Sequence, residues 1–303
     1  MRFAPGGRPV DHQRSARRKV VGAVAAVLIL GLVALPGTAA TGRQSSQPVY
    51  QPPQSYYLAL GDSIAYGFQP TKKPGARASV FNTGYVDVFA AALRKLSPKL
   101  RVVNYGCPGE STVTFTRGGC TAIHDGFKLH DVFRGPQLQA AESFLRAHPG
   151  DVSPITITLW GNDWLPLLLD KCKGEPVCVR KRGPAAIEAL GSHLASILQR
   201  LRTAAPNAEI IVTGAWNIDP DRLQQLQPIY RSLESAIARA GSASRARVAD
   251  ALSVFNPPGD AQFQKRRLCA LTFICSKGDP HPTDAGYRAL ANAFMTASGY
   301  RRS

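Results

Sequence analysis

Short apolar runs alternate with longer amphipathic stretches along most of this chain. Each apolar run has the length of a buried strand, and the longer stretches repeat apolar positions every three to four residues, as helices do. The predicted strands cover residues 56–60, 101–105, 155–160, 209–215 and 247–250. Strands that alternate with helices are typical of parallel βαβ units. Because neither an internal repeat nor a linker divides residues 55–300, we expect one three-layer α/β/α domain with a central, parallel sheet of about five strands.

The amphipathic stretches predict five main helices. They cover residues 82–96, 136–147, 184–205, 220–240 and 283–298. Asn82 or Thr83 is suited to cap the first helix, and Thr283 is suited to cap the last. We expect loops at residues 64–80 and 113–134 and in the segment that carries Cys269 and Cys275.

The first forty residues have the pattern of an export signal. A basic start is followed by an apolar stretch at residues 20–35 and by small residues at 36–40 that suit signal-peptidase cleavage. A retained membrane anchor is the alternative, but sixteen apolar residues fall short of the ~20 that span a bilayer. We therefore predict a secreted protein, with residues 41–54 as a flexible lead-in.

The chain is strongly basic, with a formal net charge of +17. Without the predicted signal the net charge is +12. This balance suits an anionic membrane or cell-envelope surface as a partner, and a basic surface without a partner is the alternative. Because the charges are scattered and form no basic helix, we do not expect nucleic acid as a partner. We expect a monomer.

The six cysteines fall into three pairs that are close in sequence. Sequential pairing is the simplest arrangement: Cys107–Cys120, Cys172–Cys178 and Cys269–Cys275. Export would permit disulfides. Zinc ligation is the alternative, but the chain has no Cys-x-x-Cys and no histidine close to a cysteine.

Three of the predicted strands end in polar turns that contain glycine. Ser63 follows the first strand, Gly106 the second and Asn162 the third. The carboxyl ends of parallel strands share one edge of a sheet, where such folds bind ligands. His281 precedes the last helix. Together these residues supply a nucleophile, oxyanion donors and a general base, which acyl transfer requires, although Ser63 taken alone would be an ordinary turn serine.

The four blocks in this order resemble the SGNH hydrolases, the family of GDSL lipases and esterases. The blocks are Gly61-Asp62-Ser63, the glycine Gly106, Gly161-Asn162-Asp163, and His281 within Asp-Pro-His-Pro-Thr. The resemblance covers residues 55–298 and implies a flavodoxin-like fold without metal or cofactor. It implies that Ser63 is the nucleophile and His281 the base. The N–H groups of Ser63 and Gly106 and the side chain of Asn162 would form the oxyanion hole. The export signal and the cysteine pairs are similar to those of secreted actinobacterial members.

One position departs from the family pattern. The third member of the triad usually stands three residues before the histidine, where this chain has Gly278. Asp279 stands two residues before His281, and we expect it to orient the imidazole. The alternative is a backbone carbonyl in that role, which would leave a Ser-His dyad.

Other residues in the loops and helices are weaker candidates. We expect His124 and His130 to be solvated, and His148 and His193 to be structural. The cluster at residues 164–169 is equally suited to an acyl pocket and to the core.

The resemblance implies a secreted esterase or lipase that acts on a lipid, a short-chain acyl ester or an acetylated glycan. Deacetylation of a cell-envelope or plant polysaccharide is the alternative activity. A basic cell-wall or lipid-binding module is the alternative without enzymatic activity.

Overall fold

Five parallel strands form the sheet of the computed structural model, which describes residues 53–300. The strands are β1 (Tyr56–Gly61), β2 (Arg101–Asn104), β3 (Val152–Thr158), β4 (Ile210–Thr213) and β5 (Arg247–Ala249). Their order in the sheet is β2-β1-β3-β4-β5, which confirms the predicted parallel architecture. From β1 the chain continues to β2 on one side of β1, and after β2 it crosses to β3 on the other side of β1. Ligands of open α/β sheets bind at such a reversal, beyond the carboxyl ends of the strands.

The central strands are buried along nearly their whole length. All seven residues of β3 are buried, and so are five of the six in β1. Buried tyrosines add hydrogen bonds within this core: the hydroxyl groups of Tyr57 and Tyr85 lie 2.8 and 3.1 Å from Thr156 Oγ1. A buried sheet with such bonds gives the residues at its edge a rigid support.

Eleven α-helices accompany the sheet in the described part of the chain. They are α1 (Ser63–Tyr66), α2 (Tyr85–Leu93), α3 (Thr112–Arg117), α4 (Gln137–Ala147), α5 (Gly161–Leu165), α6 (Pro176–Ala204), α7 (Leu223–Ala243), α8 (Ala251–Phe255), α9 (Ala261–Leu271), α10 (Ile274–Lys277) and α11 (Asp284–Ala297). Short 3₁₀ turns occur at Ala78–Phe81 and Thr121–Ile123, and a π-helical turn occurs at Pro166–Lys171. The capping role of Thr283 is confirmed, since its hydroxyl accepts from Gly286 N at 3.2 Å.

Helix α6 differs from the prediction because it runs through a proline. Helix α6 begins at Pro176 and continues through Pro184, where the prediction placed its start. A Cβ at the preceding Gly183 would lie 3.0 Å from Ile229 and 3.3 Å from Trp164. This close packing holds α6 in place although Pro184 lacks one backbone N–H donor. Helix α7 likewise contains Pro228.

Several segments predicted as loops contain short helices. Helix α1 overlaps residues 64–80, α3 overlaps residues 113–134, and α8 to α10 lie between β5 and Asp279. These helices are too short or too polar to show an apolar period in the sequence. Helix α9, for example, is set by its cap, because Asp260 accepts from Phe263 N at 2.7 Å. The cap of α2 is Gly84, and neither Asn82 nor Thr83 caps it.

All six cysteines form disulfides, in the three sequential pairs that the sequence predicted. Within residues 53–300 there is no group of three or more histidine, cysteine or acidic side chains that is placed to hold a metal ion. Over the same residues, no helix is both long and apolar enough to cross a bilayer. The predicted signal and most of the predicted lead-in lie outside the described residues.

Candidate active site

Ser63 lies in a sharp turn directly after β1. Gly61 has φ +124°, and a Cβ there would lie 2.3 Å from Thr158 O, so only glycine fits. The buried Asp62 caps α1, and its Oδ1 accepts from Ile64 N and from Thr158 Oγ1, each at 2.9 Å. Burial raises the pKa of this carboxyl to about 6, although these hydrogen bonds oppose the shift. The turn thus holds Ser63 at the first position of α1, beyond the carboxyl end of the sheet.

His281 lies within hydrogen-bond distance of Ser63. The distance from His281 Nε2 to Ser63 Oγ is 2.8 Å. The backbone around His281 is held by Phe273 N, which donates to His281 O at 3.0 Å, and by the bridge between Thr272 and Pro282. The ring of Phe68 meets the imidazole edge-on, with 4.6 Å between centroids.

Asp279 contacts the opposite nitrogen of the same imidazole. Its Oδ1 lies 2.7 Å from His281 Nδ1 and accepts from His281 N at 2.9 Å. Burial alone would raise the pKa of Asp279, but the hydrogen bonds and the charge of His281 outweigh burial and hold it below its ordinary value. The structure therefore brings together Ser63, His281 and Asp279. Gly278 instead ends α10 with φ +67°.

Asn162 lies at the start of α5, in the turn after β3. Its Nδ2 donates to Glu110 O at 2.8 Å, which leaves a second amide hydrogen for the pocket that Asn162 lines. The neighbouring Asp163 accepts from Thr112 N at 2.9 Å and from Thr112 Oγ1 at 2.5 Å. These bonds tie the turn after β3 to the turn after β2.

The prediction that Gly106 donates to the oxyanion is wrong. Gly106 is buried, and its N–H donates to Asn104 Oδ1 at 2.8 Å. A Cβ at Gly106 would lie 2.5 Å from Tyr66 N, so this glycine serves close packing beneath the site.

Gly109 occupies the place expected for Gly106. Gly109 is exposed, lines the same pocket as Ser63 and Asn162, and has φ +85°. Within residues 53–300 its N–H has no hydrogen-bond acceptor. The sequence did carry a signal, because asparagine often binds a backbone N–H two residues further along, and Asn104 stands in that relation to Gly106.

Residues 59–289 match the GDSL-like Lipase/Acylhydrolase family. The chain belongs to this family. The match supports a carboxylic ester hydrolase and confirms the resemblance to SGNH hydrolases. No curated protein sequence matches the chain.

Solved structures resemble the chain in fold. A lipase from a goat rumen metagenome has a TM-score of 0.54 at 18% identity, with 81% of this chain and 98% of that chain covered. An acetylxylan esterase from Geobacillus stearothermophilus has a TM-score of 0.53 at 15% identity, with 84% and 97% covered. An alpha/beta hydrolase enzyme from the metagenome of Lake Arreo, Spain, has a TM-score of 0.52 at 19% identity, with 83% and 98% covered.

Ser63 and His281 open into a cavity of about 330 Å³. Its wall is largely apolar and is formed by Phe68, Phe127, Trp160, Leu165, Trp216 and Ile218. The predicted cluster at residues 164–169 is divided between two roles. Leu165 lines the cavity, whereas Trp164 and Leu168 are packed in the core.

None of the other four histidines of the described chain lines this cavity. His124 is exposed, as predicted. His130, predicted to be solvated, is instead half-buried, and its Nε2 lies 2.9 Å from Tyr66 O. His148 Nδ1 lies 3.0 Å from Phe144 O, and His193 Nδ1 lies 3.3 Å from Thr112 Oγ1, which agrees with structural roles for both.

Proposed function

We propose that this protein is a serine carboxylic ester hydrolase, an esterase or lipase that works through an acyl-enzyme on Ser63. The observation that carries the proposal is the continuous contact from Ser63 Oγ through His281 to Asp279, with Ser63 and His281 in the wall of one cavity. Both distances are within the range needed for proton transfer and for orientation of the imidazole.

The reaction follows from these contacts. His281 Nε2 takes the hydroxyl proton as Ser63 Oγ attacks the ester carbonyl, and Asp279 holds the Nδ1–H tautomer and stabilises the imidazolium. The oxyanion accepts from the N–H groups of Ser63 and Gly109 and from Asn162 Nδ2. His281 then passes the proton to the leaving alcohol, and water activated by His281 hydrolyses the acyl-enzyme.

The cavity favours esters of apolar acids over acetylated glycans. Aromatic and aliphatic side chains form most of its wall, and they bind an acyl chain by removing it from water. We expect kcat/KM for p-nitrophenyl butyrate and octanoate to exceed that for p-nitrophenyl acetate. Higher activity on acetylated xylan than on any of these esters would support the deacetylase alternative.

Export and binding to an anionic surface are further parts of the proposal. Three disulfides support an oxidising compartment, and the net charge of +12 that remains without the predicted signal supports an anionic surface. Terminal sequencing of protein from the culture medium of its native host should place the first residue near position 41. Recovery of only a membrane-bound chain that begins at Met1 would contradict cleavage.

Replacement of Ser63 tests the mechanism. The Ser63→Ala variant should fold and lose at least ~10³-fold in kcat on a soluble short-chain ester. The matched control is Ser235→Ala, because Ser235 is exposed on α7 and its hydroxyl bonds only within that helix. Activity of Ser63→Ala close to that of the control would rule out the serine mechanism.

A further inference from the structure

Gln137 is a fully buried polar residue at the start of α4. Its Oε1 accepts from Gly61 N at 2.7 Å, and its Nε2 donates to Gly61 O at 3.0 Å and to Glu110 Oε2 at 3.1 Å. One side chain thus binds both backbone groups of the residue that ends β1 and the side chain of a residue in the turn after β2.

Glu110 extends this connection to the third turn. It is only 2% exposed, and its backbone carbonyl accepts from Asn162 Nδ2. Gly61 O also accepts from Cys107 N at 2.9 Å, which adds a direct bond between the first two turns.

Hydrogen bonds therefore connect Gln137 and Glu110 to the backbone near Ser63 and Gly109 and to the side chain of Asn162, the three proposed oxyanion donors. Gly61 stands two residues before Ser63, Glu110 directly follows Gly109, and Asn162 bonds to Glu110 itself. A buried amide is unfavourable unless its hydrogen bonds are formed, and a completed buried network fixes the geometry of the groups it joins. Oxyanion donors are effective only when they are held in place before the reaction.

We propose that Gln137 and Glu110 are positioning residues that set the spacing of the three oxyanion donors. The proposal rests on the proposed acyl-enzyme function. A purely structural role, in which Gln137 only anchors α4 to the sheet, would affect stability and leave stabilisation of the transition state unchanged.

The test replaces Gln137 with leucine, which removes all three bonds. Gln137→Leu should lower kcat on a soluble ester by about 10- to 100-fold, because small displacements of reacting groups have effects of this size. The KM should change by less than about threefold, since the loss belongs to the transition state.

Binding of a trifluoromethyl ketone separates positioning from stability. Ser63 Oγ adds to the ketone carbon, its proton passes to His281, and the ketone oxygen becomes an oxyanion in the hole. The affinity of Gln137→Leu for this ketone should fall by a factor similar to the fall in kcat.

The matched control is Gln264→Leu. Gln264 is also a buried helical glutamine, and its Nε2 donates to Pro257 O, which is not part of the site. The control should lose stability while kcat and ketone affinity stay within about twofold of wild type. Unchanged kcat and ketone affinity in folded Gln137→Leu, or equal losses in both variants, would overturn the proposal.

A second substitution, Glu110→Leu, tests the proposal if Gln137→Leu does not fold. Glu110→Leu removes the bond from Gln137 Nε2 to the turn after β2 and the bond of the Glu110 side chain to Thr114, and it keeps both bonds from Gln137 to Gly61. It should lower kcat and ketone affinity together, and Glu110→Gln, which retains an acceptor oxygen, should recover most of the loss. Wild-type values for Glu110→Leu would likewise overturn the proposal. In every variant, hydrolysis that still depends on Ser63 shows that the proposed function stands even if the positioning role fails.

Discussion

The carboxylate of Asp279 binds two nitrogen atoms of the same neighbouring residue. Its Oδ1 accepts from both the backbone N–H and the ring Nδ1 of His281. Aspartate side chains commonly accept from the backbone two residues further along. Here that local turn also directs the carboxylate to the ring, which explains how a two-residue spacing can orient the imidazole.

Replacement of Asp279 with asparagine tests whether the side chain has this role. Asn keeps the turn but cannot stabilise an imidazolium by charge, and its amide can favour the wrong histidine tautomer. We expect Asp279→Asn to lower kcat/KM on a soluble ester by about 10- to 10³-fold, less than His281→Ala does. A loss below about threefold would mean that the site is a Ser-His dyad.

Replacement of Asn162 with alanine tests the side-chain donor of the oxyanion hole. Loss of one such donor should lower kcat by about 10²- to 10³-fold with little change in KM. Asn292→Ala is the control, because Asn292 lies on the exposed face of α11. If the two variants show equal kcat values, Asn162 does not donate to the oxyanion.

Sequence patterns indicated some of these residues and not others. Ser63 and Asn162 follow apolar strands of a parallel sheet, so their meeting at one edge is a consequence of topology. The choice between Gly106 and Gly109 depends on backbone angles within one turn, which an apolar pattern does not report. Gln137 gave no signal, because a glutamine on a helix is ordinarily solvent-exposed.

At the scale of elements, the Cys107–Cys120 disulfide joins two walls of the cavity. Cys107 lies two residues before Gly109, and Cys120 directly precedes Thr121 and Ala122, which line the cavity. The bond therefore restrains both the turn that carries a proposed oxyanion donor and the segment of the cavity wall at Thr121 and Ala122.

Loss of this disulfide should affect both stability and activity. The paired change Cys107→Ser with Cys120→Ser opens a loop of 13 residues, which should lower the free energy of unfolding by about 3 kcal/mol. We also expect kcat to fall at temperatures where the variant stays folded. Removal of the Cys172–Cys178 disulfide is the control and should lower stability by about 2 kcal/mol without a comparable change in kcat. Similar kcat values for both double variants would contradict the restraint on the turn.

Sequence patterns are sufficient to predict some helix ends, whereas other helix ends depend on packing. The Thr283 cap could be predicted because a threonine precedes an apolar period. The true start of α6 could not, because proline is favoured at the first turn of a helix and only the contacts of Gly183 show that the helix passes through Pro184.

At the scale of the whole molecule, buried carboxyl groups link stability to pH. Glu209 and Glu234 lie at the two ends of β4, and Glu234 Oε1 accepts from Ala215 N. Burial raises the pKa of each to about 7, from an ordinary 4.5. Between pH 4.5 and about pH 7, the folded protein holds more protons on these two carboxyl groups than the unfolded chain does. The two groups therefore contribute to the free energy of unfolding below pH 4.5, and this contribution is lost as the pH rises through about 7.

The Glu234→Gln variant should remove part of this dependence. Glutamine keeps an acceptor for Ala215 N and carries no charge to bury. The melting temperature of the variant minus that of wild type should therefore be more positive at pH ~8 than at pH ~5. The exposed Glu188→Gln on α6 is the control. A difference between Glu234→Gln and wild type that does not change with pH would contradict a raised pKa.

The proposed role of Ser63 as the nucleophile of an acyl-enzyme is tested most directly by mass spectrometry of the wild-type protein after reaction with a fluorophosphonate ester, which phosphonylates an activated serine. We expect one adduct per chain on the peptide that carries Ser63, and no adduct in His281→Ala on the same time scale. An adduct on another serine, or equal labelling of His281→Ala, would rule out this role.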